Sequence, residues 1–489
     1  MDSKDKEINK IKQELNELID IIFQAKEVNK PIDEIERHVF RTLLIIGKQL
    51  IMLYVNEVSN KVSNKVNGYQ NKGKFTRTYF SIFGKISFSR EKYYSKEKRQ
   101  TIYPTDIALC MPKEEYSYNL QDWIGLSATD MDFRSSVGII NRIFGHDIKE
   151  IQAERISNKL SEEVEIFYKQ ETHLNKEEEG SFFAAGFDDK GVPILPAEVN
   201  RVADSSGMRL GKGQKKGVKK SSTVSVTYSF NPNIRTAEKV VASLFKEKKY
   251  NENNSEESIE SKKDANNKHT RAFLSDKKKA IEYGFDNILK RSPEKKKDIV
   301  VLVDGDRGLE QAINRAIEAK GIKERVIFKV LDFIHVTEYL WKAANIYYGE
   351  KSPLRLEWVK QQCLLLLKGE HNATIKNLHE LIQDCKYKTS KCKMIESVIK
   401  YLMNHKHMMN YKECLARGFP ISTGAIESAC GHFVQSRMER NGMRWSLKGA
   451  MNMLNLRAIN KNKDWGIYMK YYIEKKQMSN GTLDYKMVA

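Results

Sequence analysis

The sequence is poor in the features that mark a zinc domain, a disulfide scaffold or a membrane protein. Its six cysteines, Cys110, Cys363, Cys385, Cys392, Cys414 and Cys430, include no CxxC pair, which argues against zinc and leaves reduced thiols as the expected state. Residues 1–6 lack the apolar segment of a secretory signal. The apolar stretch at 40–54 is interrupted by Arg41 and Lys48 and reads as too short and too charged to span a bilayer. The expectation is a soluble cytoplasmic protein with no membrane partner.

What the chain has in excess is positive charge. Lys plus Arg number 84 against 64 Asp plus Glu, a formal net charge of +20, and such an excess attracts polyanions by counterion release. The charge is clustered. RLGKGQKKGVKK at 209–220 sets Lys212, Lys215, Lys216, Lys219 and Lys220 among glycines, suited to gripping a phosphate backbone without reading sequence; the plainer reading is a disordered basic loop. QSRMERNGMRW at 435–445 adds Arg437 and Arg444 as further candidates for phosphate contacts.

Three carboxylates stand out by position. The apolar run 181–187 stops at Asp188 and Asp189, where DDKG reads as a turn before a second apolar stretch. The run 299–303 is continuous and β-branched, as a buried strand is, and ends at Asp304-Gly305-Asp306. Between them, 223–230 alternates Val224, Val226, Tyr228 and Phe230 with hydroxyl residues, the pattern of a half-buried strand. After Asp304 come a helical segment at 309–319, Gly321, and an apolar strand at 325–331 ending in Asp332 and His335. Strand, helix, strand favours a parallel pair, whose carboxyl ends are where open α/β sheets bind ligands. Glu427 falls in the first turn of a helix near 423.

Magnesium takes oxygen ligands, held by one or two carboxylates with water and substrate phosphate, and manganese suits the same set. Two ions about 3.5–4 Å apart serve in-line phosphoryl displacement, so Asp188, Asp304 and Glu427 together predict a two-magnesium site for phosphodiester cleavage or transfer. Each residue also has a structural reading. Aspartate at a strand end forms turns and caps helices, and a first-turn glutamate favours the helix dipole. Asp332 and His335 stand where both could serve the metal edge as auxiliary groups, or as a cap and a half-buried histidine. Cys430 reads as packing.

Several motifs in one order resemble a known family. LDFIHVTEYLWKAA at 331–344, TGAIESAC at 423–430, the ArgMet pair at 437–438 and the ArgTrp pair at 444–445 are similar to the ISKra family of bacterial insertion-sequence transposases. DDKGVPI at 188–194, RLGKGQKKG at 209–217 and FSIFGKI at 80–86 extend the resemblance over residues 75–473. It implies a DDE-type transposase with an RNase H-like catalytic core, in which Asp188, Asp304 and Glu427 occupy the catalytic and metal-binding positions. Two departures are local: Asp189 and Ser428 stand where glycine is more usual, so Asp188 and Asp189 compete for the first position and Asp188 is preferred. Cutting two transposon ends implies a homodimer or higher oligomer on DNA.

The expected class is therefore α/β. A helical arm covers 1–65; a β-hairpin and helix-turn-helix-like DNA-binding region covers 66–170. The RNase H-like core, a mixed sheet flanked by helices, covers 175–336 and 416–460, followed by a C-terminal tail at 461–489. The interval of 123 residues from Asp304 to Glu427 exceeds an ordinary loop and predicts an all-helical insertion at 337–415. Asp306 completes the auxiliary acidic set. The function expected is metal-dependent DNA cleavage and strand transfer; the alternative is a non-catalytic DNA-binding regulator derived from a transposase.

Overall fold

The computed structural model describes residues 3–27, 29–62, 66–170, 179–199, 218–246, 265–292, 297–384 and 390–479. The chain divides into two units, Met1–Lys169 with Lys463–Ala489, and Gln170–Asn462.

The first unit opens with two long helices, α1 (Ser3–Glu27) and α2 (Ile32–Lys61). They run antiparallel, with the Gln49 amide donating to Glu14 and the Asn56 amide to Glu7. Beside α2 lies a three-stranded antiparallel sheet of β1 (Gln70–Ser81), β2 (Gly84–Ser95) and β3 (Gln100–Ile102). Val55, Ile86, Phe88 and Met111 form their shared core, joined by Ile51 and Met52. Then come α3 (Pro104–Ala108), α4 (Tyr118–Asp130), α5 (Phe133–Phe144), α6 (Glu150–Ser161) and α7 (Val164–Lys169). Gly145 closes α5 at φ 68°, the left-handed conformation a C-terminal glycine adopts without strain. A final helix, Trp465–Ser479, belongs to this unit. Its indole donates to Asp122, and Lys475 and Lys476 pair with Glu163. Part of the segment expected as a tail is thus a packed helix.

Among the described residues α2 is the one helix long and apolar enough, by length and composition, to cross a bilayer. Arg41 and Lys48 lie within it.

The second unit is built on a five-stranded mixed sheet. In chain order it contains β4 (Phe182–Ile194), β5 (Val218–Phe230), α8 (Ala237–Leu244), β6 (Asn266–Leu274), α9 (Lys277–Arg291), β7 (Ile299–Val303), α10 (Arg307–Ala319) and β8 (Val326–Leu331). The spatial order is β6-β5-β4-β7-β8. The β4, β5 and β6 neighbours are antiparallel, whereas β7 pairs in parallel with β4 and β8. All five residues of β7 are buried, each worth about 1.5–3 kcal/mol on burial, which makes it the centre of the core. Helices follow through the expected insertion: α11 (Phe333–Tyr348), α12 (Leu354–Leu367), α13 (His371–Asp384), α14 (Ser390–His405) and α15 (Tyr411–Ala416). The chain returns through α16 (Gly424–Ala429), a π-helical turn at Cys430–Gln435, and α17 (Leu447–Lys461).

Two local expectations differ from the structure. No turn forms at DDKG: β4 continues to Ile194 because β5 pairs with it along its whole length, from Phe182↔Phe230 to Ile194↔Val218. Nor is β5 half-buried. Its hydroxyl face, Thr223, Ser225, Thr227 and Ser229, is as buried as its apolar face. The hydroxyls lie under α9, where Thr227 donates to Asn287 and Gly284 closes on Ser225.

Candidate functional site

Strand register brings three aspartates to one level. Gly186 pairs with Leu302 and Val303 with Leu331 in parallel ladders, so two residues past Gly186 lies Asp188, level with Asp304 and, across β8, with Asp332. The Asp332 amide still donates to the Val303 carbonyl, 2.8 Å, which extends the alignment past the strand ends. Residues opposite one another in a sheet share a face, so these three carboxylates rise on the same side.

That side is the one α16 covers. A Cβ on Gly186 would stand 1.8 Å from Ile426 Cδ1, so glycine is what lets the helix settle onto β4 beside Asp188. Glu427, next to Ile426, lies beside Asp332, whose charge acts on it. The loop before α16 is tied down by Asp332, which is 1 % exposed. Its carboxylate accepts from the Thr423 amide at 3.2 Å, from the Thr423 hydroxyl, and from the Ile334 amide at 3.0 Å as the cap of α11. Thr423 also reaches Glu427 at 3.4 Å. Asp332 is thus a helix cap and also a neighbour of Glu427.

The neighbouring acids face elsewhere. Asp189, one residue on, points to the opposite face, toward α9, accepting from Thr223 and pairing with Lys277 at 2.9 Å. Asp306 caps α10 through the Leu309 amide at 2.6 Å and shares Lys277 at 3.3 Å. Burial works against ionisation of Asp306, but that amide and the Lys277 ammonium hold its carboxyl below the usual range. Asp304 differs: burial, with the charges of Asp188 and Asp306 nearby, pushes its carboxyl up. Burial likewise raises Glu427, helped by Asp332 and Glu338. Among the described residues none of Asp188, Asp304, Asp332 and Glu427 has a lysine or arginine partner. His335, half-buried on α11, contacts Glu338 at 3.6 Å and its field falls on Asp304.

The insertion contributes residues that sequence reading passed over. Gly305 turns at φ 92° and receives α14 closely. There the Tyr401 hydroxyl donates to the Asp304 carbonyl at 3.1 Å, and His405 Nε2 lies 3.0 Å from the Gly305 carbonyl. Tyr339 of α11 stacks on Tyr401 with ring centroids 3.8 Å apart. These aromatics carry no spacing signal that separates them from ordinary core. Cys430 packs as expected, yet its thiol also donates to Asp188 at 3.2 Å. Burial, with the Asp188 charge, pushes that thiol well up. The π-helical turn it begins is held by the buried Arg457, which donates to the His432 and Phe433 carbonyls. Such turns recur at functional sites.

No family model and no curated protein matches this chain.

Among the described residues no group of three or more His, Cys, Asp or Glu is gathered closely enough to hold a metal ion. The carboxylates come together instead as neighbouring pairs, Asp188 with Asp304 and Asp332 with Glu427. Their chemistry, all oxygens with charges that repel one another and lack a basic partner, is that of a hard-cation donor set, but the two pairs are not drawn into one site.

The basic residues fare unevenly. Arg437 is corrected: it is 1 % exposed, with its guanidinium over the Trp445 ring at 4.8 Å, so it braces the fold rather than meeting phosphate. Arg444 is exposed. Lys219 is exposed and paired with Glu439 at 2.7 Å, and Lys220 is half-buried on β5. Lys212, Lys215 and Lys216 lie outside the described residues.

Proposed function

We propose that this chain is a DDE-type transposase that cleaves DNA at the ends of an insertion sequence and joins the freed 3′ hydroxyl to a target phosphodiester. The observation that carries this reading is the in-register alignment of Asp188, Asp304 and Asp332, with Glu427 beside Asp332, on the face opposite the Lys277-bound acids. The mixed sheet with α9 on one face and α16 on the other supports an RNase H-like core. Asp188, Asp304 and Glu427 would hold magnesium, or manganese in its place, with Asp332 positioning Glu427 through Thr423. When bound, the cations would supply Lewis acidity at the scissile phosphate. DNA is the substrate that a net charge of +20 favours, in a cytoplasmic protein acting as a dimer or higher oligomer. The test is cleavage of labelled DNA carrying the element's own end, with magnesium, by the intact protein and by Glu427→Gln. Strand-specific nicking that the variant loses while still binding DNA is expected; equal nicking by both would sink the assignment.

The second reading is a DNA-binding regulator that keeps the basic surface without the chemistry. It is favoured by the pairwise, rather than three-way, gathering of the carboxylates. DNA binding with no cleavage by the intact protein, in magnesium and in manganese, would establish it.

A further inference from the structure

The α1–α2 hairpin leaves a long apolar stripe open. At the α-helical advance of about 100° per residue, Ile32, Leu43, Leu50 and Tyr54 fall within about 40° of one another, and all four are exposed, Tyr54 at 60 %. The other two sides of α2 are occupied. Gln49 and Asn56 face α1, and Ile51, Met52 and Val55 face the small sheet; both directions lie roughly 90° or more around the helix from the stripe. On α1, Leu15 and Ile19 are likewise exposed. The hairpin register, in which residue 14 meets 49 and residue 7 meets 56, puts Ile19 at the level of Leu43 and Leu15 near Leu50.

We infer that this hairpin is the surface through which two copies of the chain associate, each contributing two helices to a four-helix bundle. Three observations select a second copy over other occupants. Residues 1–65 contain 11 basic and 11 acidic side chains, so the arm is neutral in a chain of net charge +20 and two copies meet there without the repulsion the rest of the chain brings, whereas DNA gains nothing from it. On α1, Leu15, Ile19, Ile22 and Phe23 are exposed and fall within about 100° of one another, so each helix of the hairpin carries an apolar face of its own, as a two-helix contribution to a bundle needs. The stripe runs straight along α2 with returns at seven and four residues, as helix-on-helix packing requires. A bilayer is the other class of occupant for such a helix, but Val55 and its neighbours are already packed on β2, and Arg41 and Lys48 lie mid-helix. The inference stands apart from the transposase proposal, since it concerns the protein without DNA.

Light scattering on the full chain, coupled to size exclusion at low and high loading, reads it. The intact protein should elute at twice the single-chain mass of 56.7 kDa, and Leu43→Gln/Leu50→Gln should elute as a monomer with an unchanged far-ultraviolet dichroism spectrum. Leu15→Gln/Ile19→Gln, on the other helix, should weaken the dimer independently and guards against misreading a folding defect. A monomeric intact protein at every loading overturns the inference, as does a dimer that survives both double variants. So does a monomer that sediments with vesicles of phosphatidylcholine and phosphatidylglycerol, which assigns the stripe to a lipid surface.

Discussion

Asp188 and Asp189 are chain neighbours, and Asp304 and Asp306 are two apart, yet each pair is split between two electrostatic settings. Asp189 and Asp306 share Lys277, and their charge is neutralised by the protein itself. Asp188 and Asp304 rise on the other face beside Asp332 and Glu427, where burial and mutual repulsion raise the Asp304 and Glu427 carboxyls. The difference comes from the strand: successive side chains alternate faces, so one residue decides whether a carboxylate is a structural ion-pair member or part of an uncompensated cluster. Perturbed carboxyls are a mark of functional sites, and the pairs Asp188–Asp304 and Asp332–Glu427 carry charge that no lysine or arginine of the described residues neutralises.

The largest effect that sharpens this contrast is on chemistry. Asp304→Asn should lower DNA cleavage by more than the roughly 10–100-fold typical of losing an outer partner, whereas Asp306→Asn should stay within that range; single-turnover nicking rates distinguish them, and equal losses would erase the contrast. Next in size is Gly186→Ala. Its Cβ would overlap Ile426, and overpacking of this kind costs about 1–3 kcal/mol. Urea denaturation should show the loss, and cleavage should fall further than stability does because Glu427 moves with Ile426. Tyr401→Phe removes one hydrogen bond to the Asp304 carbonyl, worth about 0.5–1.5 kcal/mol; its melting temperature should drop slightly while cleavage becomes more demanding in magnesium.

The smallest effect is on pH dependence without added cation. Both Asp304 and Glu427 titrate above their ordinary values of 3.8 and 4.5 in the folded protein. Between those values and the raised ones the folded state holds protons that the unfolded chain has released, so this contribution to stability is full below the ordinary range and is lost as pH rises through the raised values. Glu427→Gln should flatten that slope in thermal melts across the mildly acidic range, and magnesium should reverse it in the intact protein. A slope unchanged by the substitution would show that Glu427 is not part of the repelling set.

How much of this was legible in the sequence varied with the physics involved. Continuous apolar runs revealed β7 and β8, since a strand buried on both faces has no alternation to disguise it. The same logic misled at β5: Thr223, Ser225, Thr227 and Ser229 look solvent-facing, but small hydroxyls are buried readily when a helix offers Asn287 and a glycine to receive them. DDKG has turn chemistry, which the full-length pairing with β5 overrides. Asp332 could be placed at a strand end but not aligned with Asp188, because register between strands distant in sequence is a tertiary property. Arg437 looked like a phosphate contact from its basic neighbours; burial over Trp445 is invisible to composition. Tyr401 and His405 reach Asp304 and Gly305 from about 100 residues away, and nothing in their local spacing distinguishes them from helix core.

The most direct test of the central contrast is calorimetric titration of manganese into the intact protein, Asp188→Asn and Asp189→Asn. Binding that is lost in Asp188→Asn and kept in Asp189→Asn is the predicted result; binding that survives Asp188→Asn, or fails equally in both, contradicts it.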